Sequence, residues 1–407
     1  MPMRTMPSAR WRAVGGLDGG GSEGSDTGAA YAPAMRVALV MISCALLALA
    51  PQDGAHLSAA AIARETRERH LVQGLVCAVV GKEGVRDIGA AGIRRKGAPE
   101  TLAAEDRMHL GSCTKAFTAT LAAVLVADGA LRWDSTVGEV LGAAFPRMND
   151  GWRAVTLEQL LRHRGGAPKE PFETAWRKAW GCTDTPRACR AAFLDDMFGR
   201  QPAVAVGTPL YSNQGYAIAG HMLEVAAGTE YEALLNERVL VPLCITRAGF
   251  GPPKRTEESS PWGHDEQGMP FDVDNPNAIA PAGTLHMPLA EWAKFVAFHL
   301  GGTAPTKLEG AAGQLAKLHA RADSEPFEAL GWRTANREWG GAVLTHAGSN
   351  SKWYCVAWLA PERGFAVLAA VNQGGDRAQR ACDEACSTLL RTIEAAKAAS
   401  PALAAPQ

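Results

Sequence analysis

Two apolar runs near the C-terminus, Trp353 to Leu359 and Phe365 to Val371, are separated only by Ala360-Pro361-Glu362-Arg363-Gly364. A connection that short makes the two strands antiparallel, because parallel neighbours need a crossover of a dozen or more residues. A second hairpin stands at the other end, where Leu75 to Val80 and the run near Val85 to Ala90 flank Gly81-Lys82-Glu83-Gly84. Another strand, Ala342 to Thr345, precedes the C-terminal pair, and Ser112 to about Ile279 is helical and irregular, without a convincing run of strands. Helical spacing marks Leu57 to His70, and a closing helix sets Ala378, Ala381, Cys382, Ala385 and Leu389 on one stripe. The simplest arrangement is α+β, an α/β sandwich. One antiparallel sheet built from both chain ends is flanked by helices, with a large, mainly helical subdomain inserted at about residues 113–284. With 47% hydrophobic residues in 407, the chain can bury a core of that size.

The folded domain is expected over residues 55–396, with a disordered tail at 397–407. Residues 1–34 are rich in Gly, Ser and Pro with no apolar period, the composition of a disordered extension. Residues 35–50 read as a signal peptide: Arg36, an apolar stretch from Val37, and Ala48-Leu49-Ala50 in small-x-small form. The run Val37 to Ala50 is too short to cross a hydrocarbon core of about 30 Å, so no spanning membrane helix is expected and the location is periplasmic or secreted. In such a compartment Cys182 and Cys189, flanking a turn-like insert, either pair as a disulfide or stay free, while Cys382 and Cys386 read as core residues. Net charge of -1, with no basic run longer than Arg94-Arg95-Lys96, excludes a nucleic-acid footprint. Neither C-x-x-C nor H-E-x-x-H occurs, and no metal or organic cofactor is expected. The expected partner is a small-molecule or peptide substrate, and the chain is expected to be a monomer.

Chemistry concentrates at three places. In Ser112-Cys113-Thr114-Lys115, Lys115 is the only formal charge between Arg107 and Asp128, and an apolar helical run follows it. Spacing of three puts Lys115 on the face of Ser112. Burial there disfavours the charged form of the amine and leaves it able to take the serine proton. Tyr211-Ser212-Asn213 comes after the turn-like Gly207-Thr208-Pro209 and before a helix. A phenol beside a lysine ammonium ionises more easily and can relay protons, and Asn213 can orient the lysine or hold a substrate amide. Finally, His346-Ala347-Gly348 ends a strand. Its small residues let another backbone approach, and the N–H of Ser349 can join that of Ser112 as an oxyanion hole.

The order S-x-x-K, Y-x-N, H-x-G is far more specific than any one piece, and it resembles the serine β-lactamase and penicillin-binding superfamily. The likeness is greatest to the class C β-lactamase-like group, which includes D-alanyl-D-alanine carboxypeptidases, D-aminopeptidases and esterases. It runs from about Ser58 to Glu394 and is reinforced by Leu157 to His163, Tyr211 to Gly220, Gly283, and Ala347 to Asn350. The resemblance implies Ser112 as nucleophile, Lys115 and Tyr211 as the shared base system, and Asn213, His346, Gly348 and Ser349 as substrate-binding residues. Typical β-lactamases of the superfamily carry lysine where His346 stands, and a histidine of ordinary pKa near 6.5 is mostly neutral at pH 7, which argues against strong β-lactam hydrolysis. The expected activity is acyl transfer to water from a D-amino acid peptide, β-lactam or small ester. A second reading is a penicillin-binding-type sensor, acylated or occupied without turnover. The Pro-, Gly- and charge-rich segment from Gly251 to Ala282 is expected to wall the site and carry substrate choice.

Overall fold

The first strand, β1 (Gly74–Gly81), is buried along its whole length. Its side chains alternate between two cores: Val76, Ala78 and Val80 enter the larger one, Leu75, Cys77 and Val79 the smaller. A period of two demands this of a strand covered on both faces. The computed structural model describes residues 58–253, 259–321 and 329–399. The expected 1–34 extension, the 35–50 signal peptide and residues 400–407 of the expected tail lie outside the described residues. In chain order the other strands are β2 (Gly84–Gly92), β3 (Met108–His109), β4 (Gly249–Phe250), β5 (Gly263–His264), β6 (Pro270–Phe271), β7 (Leu285–Met287), β8 (Arg333–Arg337), β9 (Gly341–Ser349), β10 (Tyr354–Ala360) and β11 (Phe365–Val371). The main sheet has six strands in the order β2-β1-β11-β10-β9-β8, all antiparallel. Leu75 stands opposite Val371, so the two chain ends meet at the centre of the sheet.

The helices that build the layers are α1 (Ala59–His70), α2 (Thr114–Ala127), α3 (Asn213–Ala227), α4 (Leu289–His299) and α5 (Asp376–Ala399). Helices α1 and α5 close the smaller core, where Ile62 and Ala381 meet Val367 and Val371. The start of α1 is fixed twice: the Ser58 hydroxyl accepts the Ala61 N–H at 3.3 Å, and the Asp87 carboxylate on β2 accepts the Ala59 N–H at 2.7 Å. Both satisfy donors that a helix start leaves orphaned, and the carboxylate also complements the helix dipole. On the opposite face α2 is buried from Thr114 to Leu125, as expected of a helix apolar on every side. Phe117 stacks on Phe295 of α4 at 3.6 Å between centroids, and α4 packs on β1 and β2, so α2 is held in register with the sheet.

Sheet and helices thus follow the sequence pattern, with three differences. Helix α2 starts at Thr114, after a single 3-10 turn at Gly111–Cys113, so Ser112 precedes the helix instead of opening it. Strand β8, which the sequence did not show, covers part of β9 and takes the edge of the sheet. Its pairing stops at Arg333–Thr345, leaving His346 to Ser349 beyond it. The stretch read as strandless holds β4, β5 and β6, two residues each, too short for a period of two to show. Cys182 and Cys189 form a disulfide, and Cys382 and Cys386 are buried in the smaller core. Among the described residues, no helix is long and apolar enough to cross a membrane.

Candidate active site

The turn that carries Ser112 is pinned from several sides. Gly111 has φ +47, in the left-handed region that favours glycine, and a Cβ there would overlap the backbone N of Ser349. The Thr114 hydroxyl donates to the Gly111 carbonyl at 2.7 Å and accepts the Leu285 N–H at 3.2 Å, tying the turn to β7. At the second residue of α2, the side chain of Lys115 is fully buried. Its Nζ stands 3.0 Å from Ser112 Oγ, 2.8 Å from Asn213 Oδ1 and 2.8 Å from the Ala282 carbonyl. Two of these partners can only accept a hydrogen bond, whereas the serine hydroxyl can accept or donate. The amine can therefore keep N–H bonds to Asn213 and Ala282 while the proton of the third contact sits on nitrogen or on Ser112 oxygen. A proton can pass between them without rearrangement of the pocket.

Tyr211 and Asn213 reach this amine because His163 holds their loop. His163 has φ +57, a costly conformation for a side chain with a Cβ, of order 1–2 kcal/mol. In that conformation its carbonyl accepts the Leu210 N–H at 2.8 Å and its Nδ1 accepts the Ser212 N–H at 3.1 Å, clamping both neighbours of Tyr211. Desolvation by burial, with the Lys115 charge second, pushes the His163 pKa well below its ordinary value, so the ring stays neutral and free to accept. It also lies under the Tyr211 ring, 4.3 Å between centroids. Ser212 caps α3, accepting the Gly215 N–H at 3.1 Å while donating to the Pro168 carbonyl at 2.6 Å. Lys115 Nζ lies 4.8 Å from the Tyr211 ring centroid and 5.5 Å from that of Tyr216. Among the described residues, the Tyr211 hydroxyl has no hydrogen-bond partner. The clamping role of His163 was not read from the sequence; an αL histidine carries no local signature.

Strand β9 runs its last four residues directly against this turn. A Cβ on Gly348 would overlap the Leu110 carbonyl and stand 3.0 Å from Cys113 N, so only glycine allows the approach. Close by, Ser349 lies against Gly111, the residue before Ser112. His346 is 7% exposed, its Nδ1–H donates to the Ala347 carbonyl at 2.7 Å, and desolvation by burial, then the Lys115 charge, lower its pKa to about 3. Tyr211, Arg333, Thr345, His346 and Ala347 line a cavity of about 370 Å³. Arg333, paired with Thr345 at the end of β8, was not singled out from the sequence, yet its charge bears on both His163 and His346. The long loop contributes the Ala282 carbonyl to the lysine. In the same segment His264 is spent on structure, accepting the Lys96 N–H at 3.0 Å and bonding the Asn372 carbonyl at 2.6 Å.

The family model described as beta-lactamase matches residues 59–385. "Penicillin-binding protein 4" of Amycolatopsis lactamdurans is 27% identical over 329 residues, covering 76% of this chain and 83% of the relative. The fold is shared with a class C beta lactamase from Rhodobacter sphaeroides, with a TM-score of 0.68, 19% identity, and 81% and 97% of the two chains covered. An octameric penicillin-binding protein homologue from Pyrococcus abyssi gives a TM-score of 0.66 at 22% identity, covering 80% of this chain and 75% of that one.

Proposed function

The chain belongs to the beta-lactamase family, and from that premise we infer that it is a serine hydrolase working through an acyl-enzyme on Ser112. Ser112 Oγ attacks a carbonyl, its proton passes to Lys115, and the oxyanion accepts the N–H groups of Ser112 and Ser349. Tyr211, over the lysine, relays the proton to the leaving group, and Asn213 holds an acyl-side amide. Water then releases the acyl group. The observation that carries this reading is the buried Lys115 amine 3.0 Å from Ser112 Oγ, its other two contacts being obligate acceptors.

The residues around the site support one substrate class over the others. A neutral, buried His346 offers no charge to a substrate carboxylate, whereas Arg333 lines the same cavity beside Tyr211, with Asp383 the acidic group on its wall. We assign the carboxylate of a leaving group to Arg333, which favours peptides ending in a free carboxylate or esters that carry one. The Cys182–Cys189 disulfide supports a periplasmic or secreted location. The test is hydrolysis of a panel of D-alanyl peptides, D-amino acid amides, β-lactams and short-chain esters. Turnover of at least one member that vanishes in Ser112→Ala is expected; turnover unaffected by that change removes the mechanism. An adduct on Ser112 that persists with no product would instead favour the sensor.

A further inference from the structure

The N–H groups of Ser112 and Ser349 sit on separate parts of the chain and have to stay a fixed distance apart to share one oxygen. The residues next to each converge on a single buried carboxylate. Asp274, from the loop between β6 and β7, has a side chain 2% exposed; its Oδ2 stands 2.7 Å from Nε2 of the fully buried His109. His109 Nδ1 accepts the Gly111 N–H at 3.0 Å, which leaves the ring proton on Nε2, directed at Asp274. Asp274 Oδ1 accepts the Asn350 side-chain N–H at 2.8 Å, and Asn350 Oδ1 accepts the Lys352 N–H at 3.1 Å. Gly111 immediately precedes Ser112, and Asn350 immediately follows Ser349. Every bond in this bridge runs one way: Gly111 donates to His109, and His109 and Asn350 both donate to the carboxylate.

We infer that Asp274 is a positioning residue that sets the spacing of the two oxyanion N–H groups through His109 on one side and Asn350 on the other. This rests on the acyl-transfer reading above. An acceptor with two oxygens is required, because both partners present donors. In Asp274→Asn the new amide can accept from His109 only by turning its own N–H at the Asn350 N–H. Two donors then face each other, and the end of β9 is displaced from the turn. A shift of a fraction of an ångström at an oxyanion hole removes transition-state hydrogen bonds while leaving ground-state contacts largely intact.

The experiment measures kcat and KM per acylatable site, titrated with an active ester, for the wild type, Asp274→Asn, Asn350→Ala and the exchange Asp274→Asn with Asn350→Asp. In the exchange, the amide at 274 accepts from His109 and donates to the carboxylate at 350, which still accepts the Lys352 N–H. All four bonds and the net charge return. Asp274→Asn should lose about 10- to 100-fold in kcat with KM within about threefold, Asn350→Ala about 10-fold, and the exchange should recover to within about fivefold of the wild type. The inference is overturned if the single variants keep wild-type kcat per titrated site, whatever their stability, or if the exchange is as slow as Asp274→Asn. Should Asp274→Asn not fold, an Asn350→Ala enzyme with wild-type kcat, or an exchange more than about 10-fold slower than the wild type, overturns the inference. A wild type that no carbonyl compound acylates overturns the acyl-transfer reading itself, and this inference with it.

Discussion

Gly348→Ala tests how tightly the catalytic turn and the strand beside it are fitted. The added methyl overlaps the Leu110 carbonyl, a backbone atom with no rotamer to change, and meets Cys113 N, hydrogen-bonded to that carbonyl, at 3.0 Å. Relief therefore requires β9 to withdraw from the turn by about 1 Å, carrying the Ser349 N–H with it; misplacement on that scale costs about 100-fold in rate, or about 3 kcal/mol of transition-state stabilisation. Overpacking adds about 1–3 kcal/mol of destabilisation. The assay is single-turnover acylation by an active ester, with Gly181→Ala as a control, since a Cβ there meets nothing closer than 3.7 Å. Acylation should fall about 100-fold in Gly348→Ala and stay unchanged in the control. A Gly348→Ala enzyme acylating within threefold of the wild type would refute the argument that this glycine exists to bring Ser349 to Ser112.

Arg333→Gln should raise KM about 10- to 100-fold for substrates with a leaving-group carboxylate and leave neutral esters unaffected, measured by comparing matched ester pairs; equal effects on both would refute the assignment. The pH–rate profile should show no inflection near 6.5 from His346, whose pKa is lowered to about 3; an inflection there that disappears in His346→Asn contradicts this. Acid should destabilise the fold. His346 titrates at about 3, and His286 and His319 at about 4, all chiefly through desolvation by burial. Because these pKa values lie below the unfolded value near 6.5, the unfolded chain binds more protons between the two. Their stabilisation is full above pH 6.5 and is lost as pH falls toward 3, on the order of 2 kcal/mol per histidine at pH 5. Melting temperatures that hold constant from pH 7 to pH 5 would show the burial to be wrong.

The centre of the sheet was legible because β1, β10 and β11 are covered on both faces and read as continuous apolar runs, and α2 because it is apolar on nearly every side. Strand β8, reading Arg333-Thr334-Ala335-Asn336-Arg337, is half exposed and polar, so nothing in its composition separates it from a loop. At the site, Ser112 and Lys115 were legible as a local spacing on one helical face. The contributions of His163, Asp274 and Ala282 were not. His163 acts through its backbone conformation and ring nitrogen, Asp274 through partners at 109 and 350, and Ala282 through a carbonyl that every residue possesses. Long-range pairings of that kind leave no periodic trace in a single sequence.

The most direct test follows acylation of the intact chain by mass spectrometry after mixing with an active ester or a penicillin, with the adduct located by peptide mapping. The expected result is one adduct per chain on Ser112, absent in Ser112→Ala and formed about 100-fold or more slowly in Lys115→Met, the loss typical of removing a general base. An adduct on another residue, or acylation of Lys115→Met at the wild-type rate, would contradict the claim that the buried amine activates this serine.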